Sequence, residues 1–115
     1  MSIRHVAKMS RVPQHGSAKR YAIVTEHKAG GATYTPKVLA DFVAQQIVQL
    51  ARFDAQEGPL RVLDPAVGDG ELLVSLLEQL KTRTSLKVEV HCFETNPDAL
   101  REATARLHRL FPKGS

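Results

Sequence analysis

The stretch Leu60-Arg61-Val62-Leu63-Asp64-Pro65-Ala66-Val67-Gly68-Asp69-Gly70-Glu71-Leu72-Leu73 decides how the rest of the chain is read. Leu60 to Leu63 is short and apolar, stops at a carboxylate, and is followed by a turn with two glycines. Such residues let the backbone bend tightly and let a ligand approach it closely. From Glu71 to Lys81 the pattern becomes helical, with Leu72, Leu73, Leu76, Leu77 and Leu80 on one side. This is a strand, a ligand-sized turn and a helix.

Downstream, Thr82 to Ser85 is a polar loop, and Leu86 to Phe93 is a β-branched, alternating run that ends at Glu94. Asn96 and Pro97 then suit the cap and first turn of a helix whose apolar side is Ala99, Leu100, Ala103, Leu107 and Leu110. Strand, helix, strand, helix at this spacing predicts a parallel α/β sheet of Rossmann-like type. Upstream, Thr35 reads as a helix cap and Pro36 as a first helical residue. Leu39, Phe42, Val43, Ile47 and Leu50 follow at helical spacing to about Arg52, opposite Lys37, Asp41, Gln45 and Gln49. Residues 33–115 are therefore expected to hold an N-terminal helix and two βα units. Residues 1–32 show no sustained periodicity beyond a short candidate strand at Tyr21–Thr25. They read as a basic, partly disordered arm in which Arg4, Lys8, Arg11, Lys19, Arg20 and Lys28 face only Glu26.

At 115 residues the chain is one domain or part of one, and 43% hydrophobic residues suffice for a core. Aromatic residues at 5% with no Trp argue against stacking platforms for single-stranded nucleic acid. A single cysteine, Cys92, excludes an internal disulfide and a multi-cysteine zinc site, and fits a reducing cytoplasm. No apolar stretch approaches the roughly 20 residues that cross a bilayer. The net charge of +4, concentrated before residue 30, suits a polyanionic partner or a solvated tail.

Chemistry concentrates at the glycine turn. A dinucleotide loop of the G-x-G-x-x-G kind needs a third glycine where this chain has Leu73, and no Lys-Ser or Lys-Thr pair follows to make a P-loop. Asp64, Asp69 and Glu71 would repel a pyrophosphate at the helix start, whereas a sulfonium cofactor is cationic at its reactive centre. That charge pattern favours S-adenosylmethionine over NAD or ATP. Glu94, at the carboxyl end of the neighbouring strand, lies where parallel sheets bind ligands and suits ribose hydroxyls; it is equally a residue type that ends strands at a surface.

Asp64-Pro65-Ala66-Val67-Gly68-Asp69-Gly70-Glu71-Leu72-Leu73 resembles the pattern D-P-x-x-G-x-G-x-[FL]-L of N6-adenine-specific DNA methyltransferases of the restriction–modification type. Gly31-Ala32-Thr33-Tyr34-Thr35-Pro36 resembles their Y-T-P element, and Phe93-Glu94-Thr95-Asn96-Pro97-Asp98-Ala99 their acidic second motif. The resemblance covers about residues 30 to 110. It implies the cofactor-binding part of a class I methyltransferase fold. It places Tyr34, Thr35 and Pro36 at the methionine end of S-adenosylmethionine and Asp64, Pro65, Gly68 and Gly70 in the turn beneath it. Glu94 falls on the ribose and Asn96 near the adenine. Asn96 also reads simply as a helix cap.

The family's catalytic Asn/Asp-Pro-Pro-aromatic tetrapeptide is absent, since Asn96-Pro97 is followed by Asp98 and Ala99. No catalytic and no metal-binding residue is assigned, and His91 and Cys92 read as packing residues. Two strands alone leave edges and apolar faces bare, so a part of a longer, split or degraded protein is expected, inactive by itself and prone to pair with itself or with a complementary chain. DNA is the implied partner, through the whole enzyme and the basic arm. A methyltransferase acting on protein or RNA, and a non-catalytic DNA-binding or regulatory subunit, remain open alternatives.

Overall fold

The computed structural model describes residues 3–9, 35–53 and 57–112. Tyr34, the candidate strand at Tyr21–Thr25 and most of the basic arm lie outside them. The elements are β1 (Ile3–Met9), α1 (Lys37–Leu50), β2 (Leu60–Asp64), α2 (Glu71–Arg83), β3 (Val88–Glu94) and α3 (Pro97–Leu110). The three strands form one parallel sheet in the order β1-β3-β2, the partial Rossmann-like α/β arrangement expected.

β3 is central. Val88, Val90 and Cys92 alternate inward and are almost wholly buried, and Ile3, Val62 and Val67 join them. Leu73, Val74, Leu77 and Leu80 of α2 and Ala103, Leu107 and Phe111 at α3 complete a single core on that side. Burying such side chains supplies about 1.5–3 kcal/mol each before entropy is counted. On the opposite face β3 presents Glu89 in register with Arg4 of β1 and Arg61 of β2, both exposed.

Three expectations change. Ile3–Met9, read as part of a basic, partly disordered arm, is a strand. Its register, Ile3 opposite Val88 through Met9 opposite Glu94, is set by a partner too distant in sequence for local periodicity to reveal. And α1 packs on a different face from the one its large residues suggest. Ala40, Ala44 and Val48 are buried against α2, while Val38, Leu39, Phe42, Ile47 and Leu50 are 83%, 50%, 58%, 42% and 80% exposed. The alanine stripe lets the two helices approach closely, and Asp41, expected outside, accepts a hydrogen bond from the buried Ser75 at 2.8 Å. The helix also starts one residue later than expected. Pro36, with ψ 147°, is the cap residue and no side chain caps it, so Thr35 lies too early to do so. Among the described residues no helix is long and apolar enough to cross a membrane.

Candidate functional site

β2 delivers Asp64 to the carboxyl edge of the sheet beside Cys92, its register partner on β3. There the chain turns, and most backbone amides of the turn have a structural partner. The Asp64 Oδ1 accepts from the Ala66 amide at 3.0 Å, which closes the first bend. The Val67 amide donates to the Phe93 carbonyl at 2.9 Å, which fastens the turn to the end of β3. Gly68 and Gly70 have φ of +55° and +89°, conformations that a side chain opposes by about 1–2 kcal/mol. Gly70 serves as the α2 cap residue, donating to the Val67 carbonyl at 2.9 Å, and the Asp69 Oδ1 accepts from the Glu71 amide at 3.1 Å.

Glu94 joins the second acidic position to this turn directly. Its Oε1 accepts from the Gly68 amide at 3.0 Å, and its Oε2 accepts from the Asn96 amide at 2.9 Å and the Thr95 hydroxyl at 3.3 Å. Asn96 caps α3, its Oδ1 accepting from the Asp98 and Ala99 amides at 2.9 and 3.2 Å. Thr35, Asp64, Ala66, Val67, Gly68, Asp69, Glu71 and Leu72 line a concavity of about 100 Å³. Pro36 and Pro65 are exposed beside it. The structure thus brings together Thr35, Asp64, Gly68 and Glu94, and turns the Asn96 side chain toward the helix it caps.

Electrostatics sharpen what can bind. Two of the amides at the helix start are already taken by carboxylates, Gly68 by Glu94 and Glu71 by Asp69, and these negative charges disfavour an anion there. Burial pushes the Asp64 carboxyl above the usual range; the Ala66 amide partly offsets this, and the charge of nearby Glu94 adds to the rise. Burial likewise raises the Cys92 thiol, with Asp64 contributing, so it is no ready nucleophile. Against these carboxylates the turn receives one guanidinium, Arg106 of α3, whose Nη2 lies 2.7 Å from the Glu71 Oε2. Sequence reasoning missed Arg106, since nothing local marks a contact made across two helices. The residues present suit the cationic part of a sulfonium cofactor. At about 100 Å³ the concavity is smaller than the roughly 300–1,000 Å³ of complete ligand sites, so by itself it does not enclose a ligand of cofactor size. Among the described residues no cluster of three or more His, Cys, Asp or Glu could hold a metal ion.

Residues 18–109 match the family described as N-6 DNA Methylase. The chain is also similar to the Type II methyltransferase M.BanIII of Aneurinibacillus aneurinilyticus, with 32% identity over 90 residues. That alignment takes in 76% of this chain but only 16% of the relative.

Proposed function

The chain belongs to the N-6 DNA methylase family, and on that premise we propose that it is the S-adenosylmethionine-binding portion of a DNA adenine-N6 methyltransferase. The observation that carries this reading is the pair of carboxylate–amide bonds at Gly68 and Glu71, which makes the turn acidic and unfavourable to a pyrophosphate. In this reading Tyr34, Thr35 and Pro36 face the methionine end of the cofactor, and Asp64, Pro65, Gly68 and Gly70 form the floor. Glu94 takes the ribose hydroxyls through lone pairs not used by Gly68 and Asn96, while Asn96 sits near the adenine through its backbone.

When bound, the cofactor supplies an electrophilic methyl group. The chain's own residues hold and orient it. They do not activate an acceptor, because the sequence has no Asn/Asp-Pro-Pro-aromatic tetrapeptide to grip an adenine amino group. Methyl transfer to DNA therefore depends on additional residues, from a continuing or complementary chain, and the 115 residues alone are inactive. Supporting an association is the row of large apolar side chains on α1, with Leu63 of β2, 64% exposed, as a further uncovered apolar residue.

The test is a calorimetric titration of the chain with S-adenosylmethionine, with NAD and ATP as controls. Binding of the first alone supports the proposal, and preferential binding of either control overturns it. Methylation of duplex DNA by the chain alone would refute the division of labour.

A further inference from the structure

Arg106 stands near the end of α3, outside every motif that carries the family resemblance. Its guanidinium reaches back to the start of α2. Nη2 donates to the Glu71 Oε2 at 2.7 Å, and Nη1 lies 3.5 Å from the Asp69 carbonyl oxygen, the long limit of a hydrogen bond. Glu71 falls at a position that the motif pattern leaves open, so this pair is a feature of this chain's own residues. The two side chains are 26% and 15% exposed, shielded enough that a carboxylate stripped of its partner would not recover full hydration.

A second contact comes from the same helix one turn earlier. Ala103, with no exposed surface, backs directly onto Gly70: a Cβ built there would lie 3.5 Å from the Ala103 Cβ and 3.7 Å from its Cα. The turn is thus fastened on one side by β3, through Phe93 and Glu94, and braced from α3 by a small residue and a cation.

We infer that Arg106 is a positioning residue for the cofactor turn. It holds Asp69-Gly70-Glu71 in the left-handed bend recorded at Gly70, and it pairs the Glu71 carboxylate so that this side chain stays against α3. The forked guanidinium can span a carboxylate and a carbonyl at once, which an ammonium cannot do with the same geometry. The inference rests on the proposed function for its consequence, but its structural part can be measured without any ligand.

The experiment follows backbone amide hydrogen exchange in the full 115-residue chain for wild type, Arg106→Met and Arg106→Lys, together with S-adenosylmethionine titrations. Loss of a charge-assisted bond predicts about ten-fold faster exchange at Gly70 and Glu71 in Arg106→Met, a smaller change in Arg106→Lys, and cofactor affinity lower by about the same factor in the same order. The amides of Val90 and Cys92 in the central strand should be unaffected. Equal acceleration in turn and strand would show a general loss of stability and overturn the inference, as would unchanged exchange at the turn. If Arg106→Met unfolds, Arg106→Lys carries the same comparison. Failure of the wild type to bind S-adenosylmethionine would refute the proposed function, while the exchange pattern still decides the role of Arg106.

Discussion

The Glu94 carboxylate accepts the Gly68 amide at 3.0 Å, so the two acidic and glycine motifs, 26 positions apart, are one bonded unit before any ligand arrives. Glu94→Ala should therefore do two things at once: lower stability by about 1–3 kcal/mol by orphaning a partly buried amide, and remove cofactor binding. Glu94→Gln offers one oxygen for Gly68 or for Asn96 but turns its amide nitrogen toward the other N–H, so it should recover only part of the stability and little of the binding. Denaturant unfolding and calorimetry read the two effects separately. Unchanged stability in Glu94→Ala would show that the bond to Gly68 does not matter.

Gly70→Ala should destabilise the chain by about 1–2 kcal/mol. The cause is conformational, because φ of +89° opposes a side chain, while the 3.5 Å approach to Ala103 is ordinary contact. Chemical denaturation measures it, and a neutral result would mean that the turn relaxes freely.

Asp64→Asn should stabilise the ligand-free chain at neutral pH while abolishing cofactor binding. Because burial raises the Asp64 carboxyl, the folded form binds a proton more tightly than the unfolded form. The wild type therefore loses stability as pH rises from the ordinary carboxylate value through the raised one, and Asn escapes this loss while still offering an oxygen to the Ala66 amide. The gain in melting temperature should fade as pH falls below the ordinary carboxylate range. Asp41, lowered by hydrogen bonds from Ser75 and Lys37, and Glu89, lowered first by the hydrogen bond from His91, act in the opposite sense. Their contribution is present above that range and is lost as pH falls through their lowered values.

Asn96→Ala should cost about 1 kcal/mol through loss of the α3 cap and leave cofactor affinity nearly unchanged, whereas Asn96→Asp should retain the cap. A large loss of affinity with Asn96→Ala, beyond the loss of stability, would instead place the side chain itself against the ligand.

Phe42→Ser and Leu50→Ser remove apolar surface that is already 58% and 80% exposed. Each should change stability by less than about 0.5 kcal/mol while reducing self-association in sedimentation. Leu77→Ala, at a position with no exposed surface, should by contrast cost about 2–5 kcal/mol. A strong destabilisation by Phe42→Ser would mean that α1 is buried on its large apolar face after all.

The parts legible in the sequence are those fixed by neighbours along the chain. The β2–turn–α2 unit announces itself by an apolar run, two glycines and helical leucines. Asn96-Pro97 marks the start of α3 because capping is a local bond. The existence of α1 was equally plain, but not its orientation. Amphipathicity locates an apolar face, yet Ala40 and Ala44 win the contact with α2 because small side chains permit the closer approach. β1 was not legible, since its pairing lies with residues 88–94. At the site, the positions of Asp64, Gly68 and Glu94 could be read, but not that Glu94 bonds Gly68, nor that Arg106 reaches Glu71. Both are distances created by packing.

The strand order β1-β3-β2 also sets a timetable. On a ribosome Ile3–Met9 is made first, but its place in the sheet exists only once Val88–Glu94 has emerged. β2 and α2 precede their shared partner β3 as well. Closing so long a loop is slow compared with forming a helix, so assembly of the sheet waits on β3. Until then the turn at Gly68 has neither Phe93 nor Glu94 to hold it. The fastened turn is thus among the last features of this sequence to take shape, and an arrest of synthesis before residue 94 would yield helices without it.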